Sequence, residues 1–154
     1  MQSRNERWYA MDLTFEQGRF EDARFVRTRV FMIEQGFKNE FDEIDDDPTT
    51  VHLTLYRDGR LVGCARTFPD PKHADDPGRW VFGRLAVLPE SRKSGLGAAL
   101  LAESERVARE AGATEMHLHS QCHVTGLYER AGYERYGTEE LDEHVPHIWM
   151  KKPL

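Results

Sequence analysis

Two basic residues set against two glycines, in the run Arg92-Lys93-Ser94-Gly95-Leu96-Gly97, are the clearest place in this chain for chemistry. An apolar run precedes them and a helical pattern follows. The first amides of such a helix have no partner within it. With the positive end of the helix dipole they suit a phosphate or pyrophosphate. A Cβ at Gly95 or Gly97 would stand between that backbone and the anion, and Arg92 and Lys93 add charge from the side. The spelling is not a dinucleotide fingerprint, because Ala98-Ala99-Leu100 follows and supplies no third glycine. Nor is it a nucleoside-triphosphate loop ending in Gly-Lys-Ser/Thr. Elsewhere, His117, His119 and His123 lack matching carboxylate or cysteine partners and read as strand and loop histidines rather than metal ligands. Cys122 sits beside His123, but sequence adjacency does not supply the oriented base a nucleophile requires.

The elements that must position the loop follow from pattern. Trp80 to Leu88 is apolar with β-branched and aromatic residues and is closed by Pro89, which predicts a buried strand. From the loop a helix runs to Ala111, with Leu96, Leu100, Val107 and Ala111 near one face and Glu105 and Arg109 paired on another; Gly112 ends it. Upstream, Trp8 to Leu13 is read as a first strand and Phe20 to Phe31 as a helix stopped by Gly36. Val51 to Tyr56 and Leu61 to Phe68 flank Arg57-Asp58-Gly59-Arg60, a hairpin signal. Pro69 to Gly78 reads as an exposed loop. Downstream, Thr114 to Gln121 alternates as a strand, with Met116 and Leu118 on one side and His117 and His119 on the other. A short helix over Val124 to Arg130 and strands at Glu134 to Gly137 and Val145 to Lys151 complete the chain. The order of elements predicts one mixed α/β domain over residues 1–154 with helices on both faces of the sheet.

Composition narrows the partners. Hydrophobic residues make up 39% and charged residues 31% of 154, a globular balance. A formal net charge of −6, from 21 basic and 27 acidic residues, argues against a nucleic-acid binder. No apolar run reaches membrane-spanning length, and Met1 to Arg7 lacks the apolar core of a signal peptide, so the expected location is cytoplasmic with no membrane partner. Two cysteines, Cys64 and Cys122, make no Cys-x-x-Cys pair and no disulfide framework. The acidic stretch Asn39 to Pro48 reads either as a solvated loop or as a negative rim that draws in a cationic amine.

The loop Arg-x-x-Gly-x-Gly after an apolar strand resembles the acyl-CoA loop of the GNAT superfamily of N-acetyltransferases. The segment Gln121 to Tyr133 resembles that superfamily's second signature, roughly Asn-x-x-Ala-x-x-x-Tyr-x-x-x-Gly-Phe. Tyr128 and Gly132 match it, while Gln121, Val124 and Tyr133 stand where Asn, Ala and Phe are usual. Glu34-Gln35-Gly36 and Val145 to Met150 are similar to a small, single-domain bacterial branch.

The resemblance implies a mostly antiparallel sheet with a splayed central strand pair. It implies direct acetyl transfer from acetyl-CoA, a co-substrate, to a primary amine of a small molecule or an exposed protein amine, with no metal. Leu85, Ala86 and Val87 would hold the pantetheine arm and thioester carbonyl. Arg92, Lys93, Ser94, Gly95, Leu96 and Gly97, with Ala98, would receive the pyrophosphate. Gln121 and Tyr128 complete the cofactor set, and Tyr128 would protonate the departing thiolate as general acid. Glu34, Glu43, His52, His119, His144 and His147 are of a type to serve as base, and Glu34 is placed first among them. A small-molecule acceptor is the expected partner, and a homodimer is compatible with the pattern. The competing reading keeps the fold and makes the chain a non-catalytic acyl-CoA sensor or interaction module. Retention of Tyr128 favours the enzyme.

Overall fold

The computed structural model describes residues 12–154. The strand expected from Trp8 lies outside them up to residue 11, and the first described strand, β1, is Leu13–Gln17. Then come α1 (Phe20–Arg27), β2 (Val51–Arg57), β3 (Arg60–Pro69), β4 (Arg79–Val87), α2 (Leu96–Glu110), β5 (Glu115–Gln121), α3 (Thr125–Arg130), β6 (Glu134–Asp142) and β7 (Val145–Pro153). The seven strands form one sheet in the order β1-β2-β3-β4-β5-β7-β6. Every neighbouring pair is antiparallel except β4 and β5.

That parallel pair is short. Arg79 to Phe82 face Glu115 to Leu118, and then pairing stops. Gly83 to Val87 keep β3 on one side, and His119 to Gln121 keep β7, but neither meets the other. The sheet therefore opens into a wedge at its centre, the splayed pair expected above.

A bulge in β4 marks the start of the wedge. Arg66 pairs with Gly83 and Cys64 with Ala86, so β4 carries one residue more than β3 across this step. Arg84 has φ 51°, a left-handed conformation costly for a residue with a Cβ. The extra residue reverses side-chain parity. Trp80 and Phe82 belong to the core on the α2 face, whereas Ala86 joins the core under α1.

Each face has its own core. Leu53, Leu55, Ala65, Phe82, Met116 and Leu118 pack against Leu96, Leu100 and Leu101 of α2. Cys64, Ala86 and Leu88 pack against Ala23, Val26, Val30 and Phe31. Burying each large aliphatic side chain is worth roughly 1.5–3 kcal/mol. The apolar stripe of α2 is shifted from the expected one: Leu101, Ser104 and Ala108 are buried and Ala111 is exposed. Glu105 is also buried, 6% exposed, because Tyr133 donates its hydroxyl to Oε2 at 2.7 Å and Lys152 lies 3.1 Å from Oε1. A tyrosine where the signature has phenylalanine thus has a partner for its hydroxyl, as a buried phenol requires.

Local expectations mostly hold. Asp58 and Gly59 take φ 51° and 81°, as the two-residue hairpin requires. The first helix does not stop at Phe31. It widens into a π-helical segment, Thr28–Glu34, with the Gln35 amide bonded to the Val30 carbonyl, and ends at Gly36 with φ 79°. The extra turn carries Glu34 and Gln35 to the mouth of the wedge. β6 runs to Asp142, five residues beyond the expected end.

Candidate active site

A cleft of about 1110 Å³ runs through the wedge and out across the α1 face. The strand edges supply its floor: Gly83 to Val87 on one side and Leu118 to Gln121 on the other. Backbone groups on those facing edges lack sheet partners across the gap. Buried backbone donors and acceptors left this way need partners, and an extended chain with amides of its own can supply them.

Next to the inner strand lies the basic loop. Lys93 and Gly95 take φ 68° and 78°, and Gly95 is the N-cap of α2. A Cβ at Gly95 would meet nothing within 4 Å, so the angle itself calls for glycine there. No side chain caps α2 and its first turn carries no acid. This end of a 15-residue helix therefore presents uncapped amides, which together with alternating left-handed residues form a cradle for an anion. Ser94 turns its hydroxyl back to the Ser91 carbonyl, at 2.8 Å.

Arg92 is already engaged. Its Nε donates to the Val87 carbonyl at 2.9 Å, and its two terminal nitrogens donate to Glu34 at 2.7 and 2.6 Å. That bidentate hydrogen bonding, reinforced by the charges of Arg92 and Arg29, holds the Glu34 carboxyl below its usual range. A carboxylate so paired is a weakened proton acceptor, so this geometry does not carry the expected role of Glu34 as base. Glu34 tethers the end of α1 to the loop. Beside it, Gln121 Nε2 donates to Gln35 Oε1 at 2.9 Å, a second bridge over the wedge.

Tyr128 enters from the α2 face. It is 7% exposed, edge-on to Phe82 and Tyr133, and lines the cleft. Its hydroxyl makes no hydrogen bond among the described residues. Burial pushes its pKa up, so it is a phenol with a proton to give at any physiological pH.

The opposite wall is polar and aromatic. His119 on β5, His147 and Trp149 on β7, and Tyr136 on β6 share the α1 face, because β5 alternates and Met116 and Leu118 take the other. The His119 ring stacks on Trp149 with centroids 4.7 Å apart and lies 4.9 Å from His147. Of the other candidate bases, His147 and Glu43 also line the cleft, whereas His52 and His144 do not. His52 sits under Phe20 with Nε2 at the Asp45 carbonyl, and His144 Nε2 is held at the Gln35 carbonyl.

Half of the acidic stretch is neither a solvated loop nor a free rim. Glu40, Asp42 and Asp45 form an ion network with Arg27, Arg66 and Arg84. Arg27 is 1% exposed and fixes Glu40 at 2.8 Å and Asp45 at 2.7 Å. Burial alone would raise the Asp45 carboxyl, but Arg27, the Asp42 amide and Arg66 outweigh it and hold it at about 2. Of the six acids in the run, only Glu43, Asp46 and Asp47 are exposed. Nothing in the local pattern around Arg27, Arg66 and Arg84 marks them as partners of these acids, because the pairs are 13 to 44 residues apart.

Among the described residues no group of three or more histidines, cysteines or acids converges as metal ligands. Burial raises the Cys122 thiol above its ordinary value, so it is not an activated nucleophile.

A sheet wedged open between its parallel strands, with an uncapped helix at the inner strand's end, defines the acyl-CoA N-acyltransferase fold. The chain belongs to the Acetyltransferase (GNAT) family, whose model matches residues 8–133. The Bacillus subtilis protein BSU40680 is 32% identical over 130 residues, 82% of this chain and 84% of its own. The uncharacterised N-acetyltransferase YjcF of the same organism is 30% identical, covering 86% and 91% of the two chains. Among solved structures, an acyl-CoA N-acyltransferase from Pseudomonas aeruginosa superimposes with a TM-score of 0.78 at 29% identity, over 92% of this chain and 98% of that one. Among the described residues no helix is long and apolar enough to cross a membrane.

Proposed function

We propose that the protein is an acetyl-CoA-dependent N-acetyltransferase that acts on a primary amine. The observation that carries this reading is the wedge itself. Its unpaired β4 edge from Gly83 to Val87 runs beside the uncapped N-terminus of α2, where a Cβ on Gly97 would lie 3.8 Å from the Leu85 side chain, so strand amides and an anion cradle are neighbours. An acyl thioester on a long amide-containing arm with a pyrophosphate matches that sequence of groups. Acetyl-CoA supplies the activated acyl group.

The chain's residues do the rest. Leu85, Ala86 and Val87 orient the arm along the strand, and amides near Val87 face a developing oxyanion. Lys93 and the amides of Gly95 to Ala98 bind the pyrophosphate, while Arg92 stays with Glu34 and adds its charge from the side. Tyr128 holds its proton at the deep end of the wedge and donates it to the departing sulfur.

The test has a binding arm and a turnover arm. At about 100 times its dissociation constant acetyl-CoA stabilises the folded protein by roughly 2.7 kcal/mol, a clear rise in melting temperature. Release of the CoA thiol, measured over a panel of primary amines, reports transfer. An unchanged melting temperature at millimolar acetyl-CoA removes the reading altogether. A rise with no acetylated amine leaves a binding protein and no enzyme.

A further inference from the structure

Glu34 is tied to Arg92, so the proton that the acceptor amine must lose needs another destination. His119 is the group placed to take it. It lies on β5 just beyond the last residue paired with β4, and it lines the cleft. Tyr128 approaches the same gap from the other face, beside Phe82. The two rings thus flank the opening in the sheet from opposite sides.

The two nitrogens of His119 stand in different surroundings. Nε2 is shut off from solvent and lies 3.1 Å from Glu140 Oε1, with an angle short of a formed hydrogen bond. Nδ1 makes no hydrogen bond among the described residues and is not enclosed as Nε2 is. The ring plane is fixed by Trp149 on one strand and His147 near it. An imidazole with one nitrogen beside a carboxylate and the other open to a cleft is the arrangement a general base uses, since the carboxylate selects the tautomer and stabilises the imidazolium.

We propose that His119 is the general base of the transfer and Glu140 its positioning residue, an inference that rests on the acetyltransferase reading above. In the reaction the amine nitrogen forms a bond to the acyl carbon and the carbon–sulfur bond breaks. The proton lost by nitrogen goes to His119 Nδ1, and the thiolate takes one from Tyr128. Solvent then returns a proton to Tyr128 and removes one from His119, so an amide and a free thiol leave and the enzyme is restored.

Electrostatics fits the role. Burial lowers the pKa of His119 below its usual value and His147 on β7 lowers it further, while Glu140 and Asp142 on β6 pull it back. The imidazole is therefore neutral at neutral pH and ready to accept. The transfer rate rises with pH through the His119 pKa, which lies below the ordinary histidine value, and then levels.

The experiment is single-turnover acetyl transfer against pH, with an aromatic amine that does not titrate in this window. His119→Gln is expected to lose about 100-fold or more and its rising limb, while the acetyl-CoA melting shift stays at the wild-type value. Glu140→Gln is expected to move the limb to lower pH, since the removed charge favours the imidazolium; a merely structural role would lower the rate without moving it. Free imidazole is expected to restore part of the His119→Ala rate. A His119→Gln enzyme with the wild-type rate and limb overturns the assignment while leaving the acetyltransferase standing. If the wild type binds acetyl-CoA and acetylates no amine, both readings fall together.

Discussion

The two surfaces that meet at the wedge are built from opposite materials. On the α2 face Tyr128 is ringed by Phe82, Tyr133 and the aliphatic side chains of one core. On the α1 face, stacked rings line the approach together with Arg66, Arg84, Glu40 and Asp42 of the arginine–acid network. The first surface is set by hydrocarbon burial and by one short segment, Gln121 to Tyr133. The second is assembled from long-range partners: Arg27 and Asp45 are 18 residues apart, Arg66 and Asp42 24, and Arg84 and Glu40 44. A reaction that must give a proton at the sulfur and take one at the amine has use for both. A dry pocket keeps the phenol protonated, and a polar wall keeps an imidazole near its working range.

The largest effect expected on either side comes from the network. Asp45 answers both Arg27 and Arg66 at 2.7 and 2.8 Å, and its side chain is 4% exposed. Asp45→Asn leaves two guanidiniums short of charge in a buried place, which typically costs about 3–5 kcal/mol. Chemical denaturation checks it. The sign with pH follows from the depressed carboxyl. Its contribution, roughly 2 kcal/mol, is fully present above the ordinary value of 3.8 and is lost as pH falls through about 2. Stability of the wild type should therefore drop more steeply over that window than stability of the variant. Equal slopes would mean that Arg27 and Arg66 do not hold Asp45 as the distances imply.

The next effect sharpens the hydrocarbon side. Tyr128→Phe removes a hydroxyl that has no partner among the described residues, so folding and acetyl-CoA affinity should change little. Single-turnover transfer should fall about 100-fold or more if the proton comes from this phenol. Steady-state rates are the wrong readout, because release of product can mask the chemistry. A variant with the wild-type single-turnover rate would take Tyr128 out of the acid role and leave the rest in place.

What could be read in advance divides along the same line. The glycine loop, the Asp58-Gly59 hairpin, the alternation of β5 and the helix stops are local patterns, where backbone geometry and burial dictate residue type within a few positions. The bulge at Arg84 was not legible, since its positive φ falls on an arginine where a glycine would have signalled it. The buried half of the acidic run was not legible either. A run of Asp and Glu looks the same whether water or three distant arginines surround it. Glu105 was legible only in part: its pair with Arg109, four residues on, is present at 3.7 Å, while its closer partners, Tyr133 and Lys152, lie far along the chain.

The smallest expected effect tests what remains of the acidic rim. With Asp42 and Asp45 committed to arginines, the carboxylates left to meet a cationic acceptor are Glu43, Asp46 and Asp47, and of these only Glu43 lines the cleft. Asp47 is spent locally, accepting from the Thr49 amide and hydroxyl at 2.8 and 2.7 Å. An exposed charge outside the cleft acts across water and salt, where screening reaches about 8 Å under physiological conditions. Asp46→Asn should therefore leave the acceptor KM unchanged and stability within about 0.5 kcal/mol. Glu43→Gln should raise KM for a cationic acceptor modestly, with the effect fading as salt is added and with no change for a neutral aromatic amine. The comparison of those two acceptors across a salt series is the measurement. A large KM increase with Asp46→Asn would show that the whole run steers the substrate after all. The polar wall would then begin well outside the cleft.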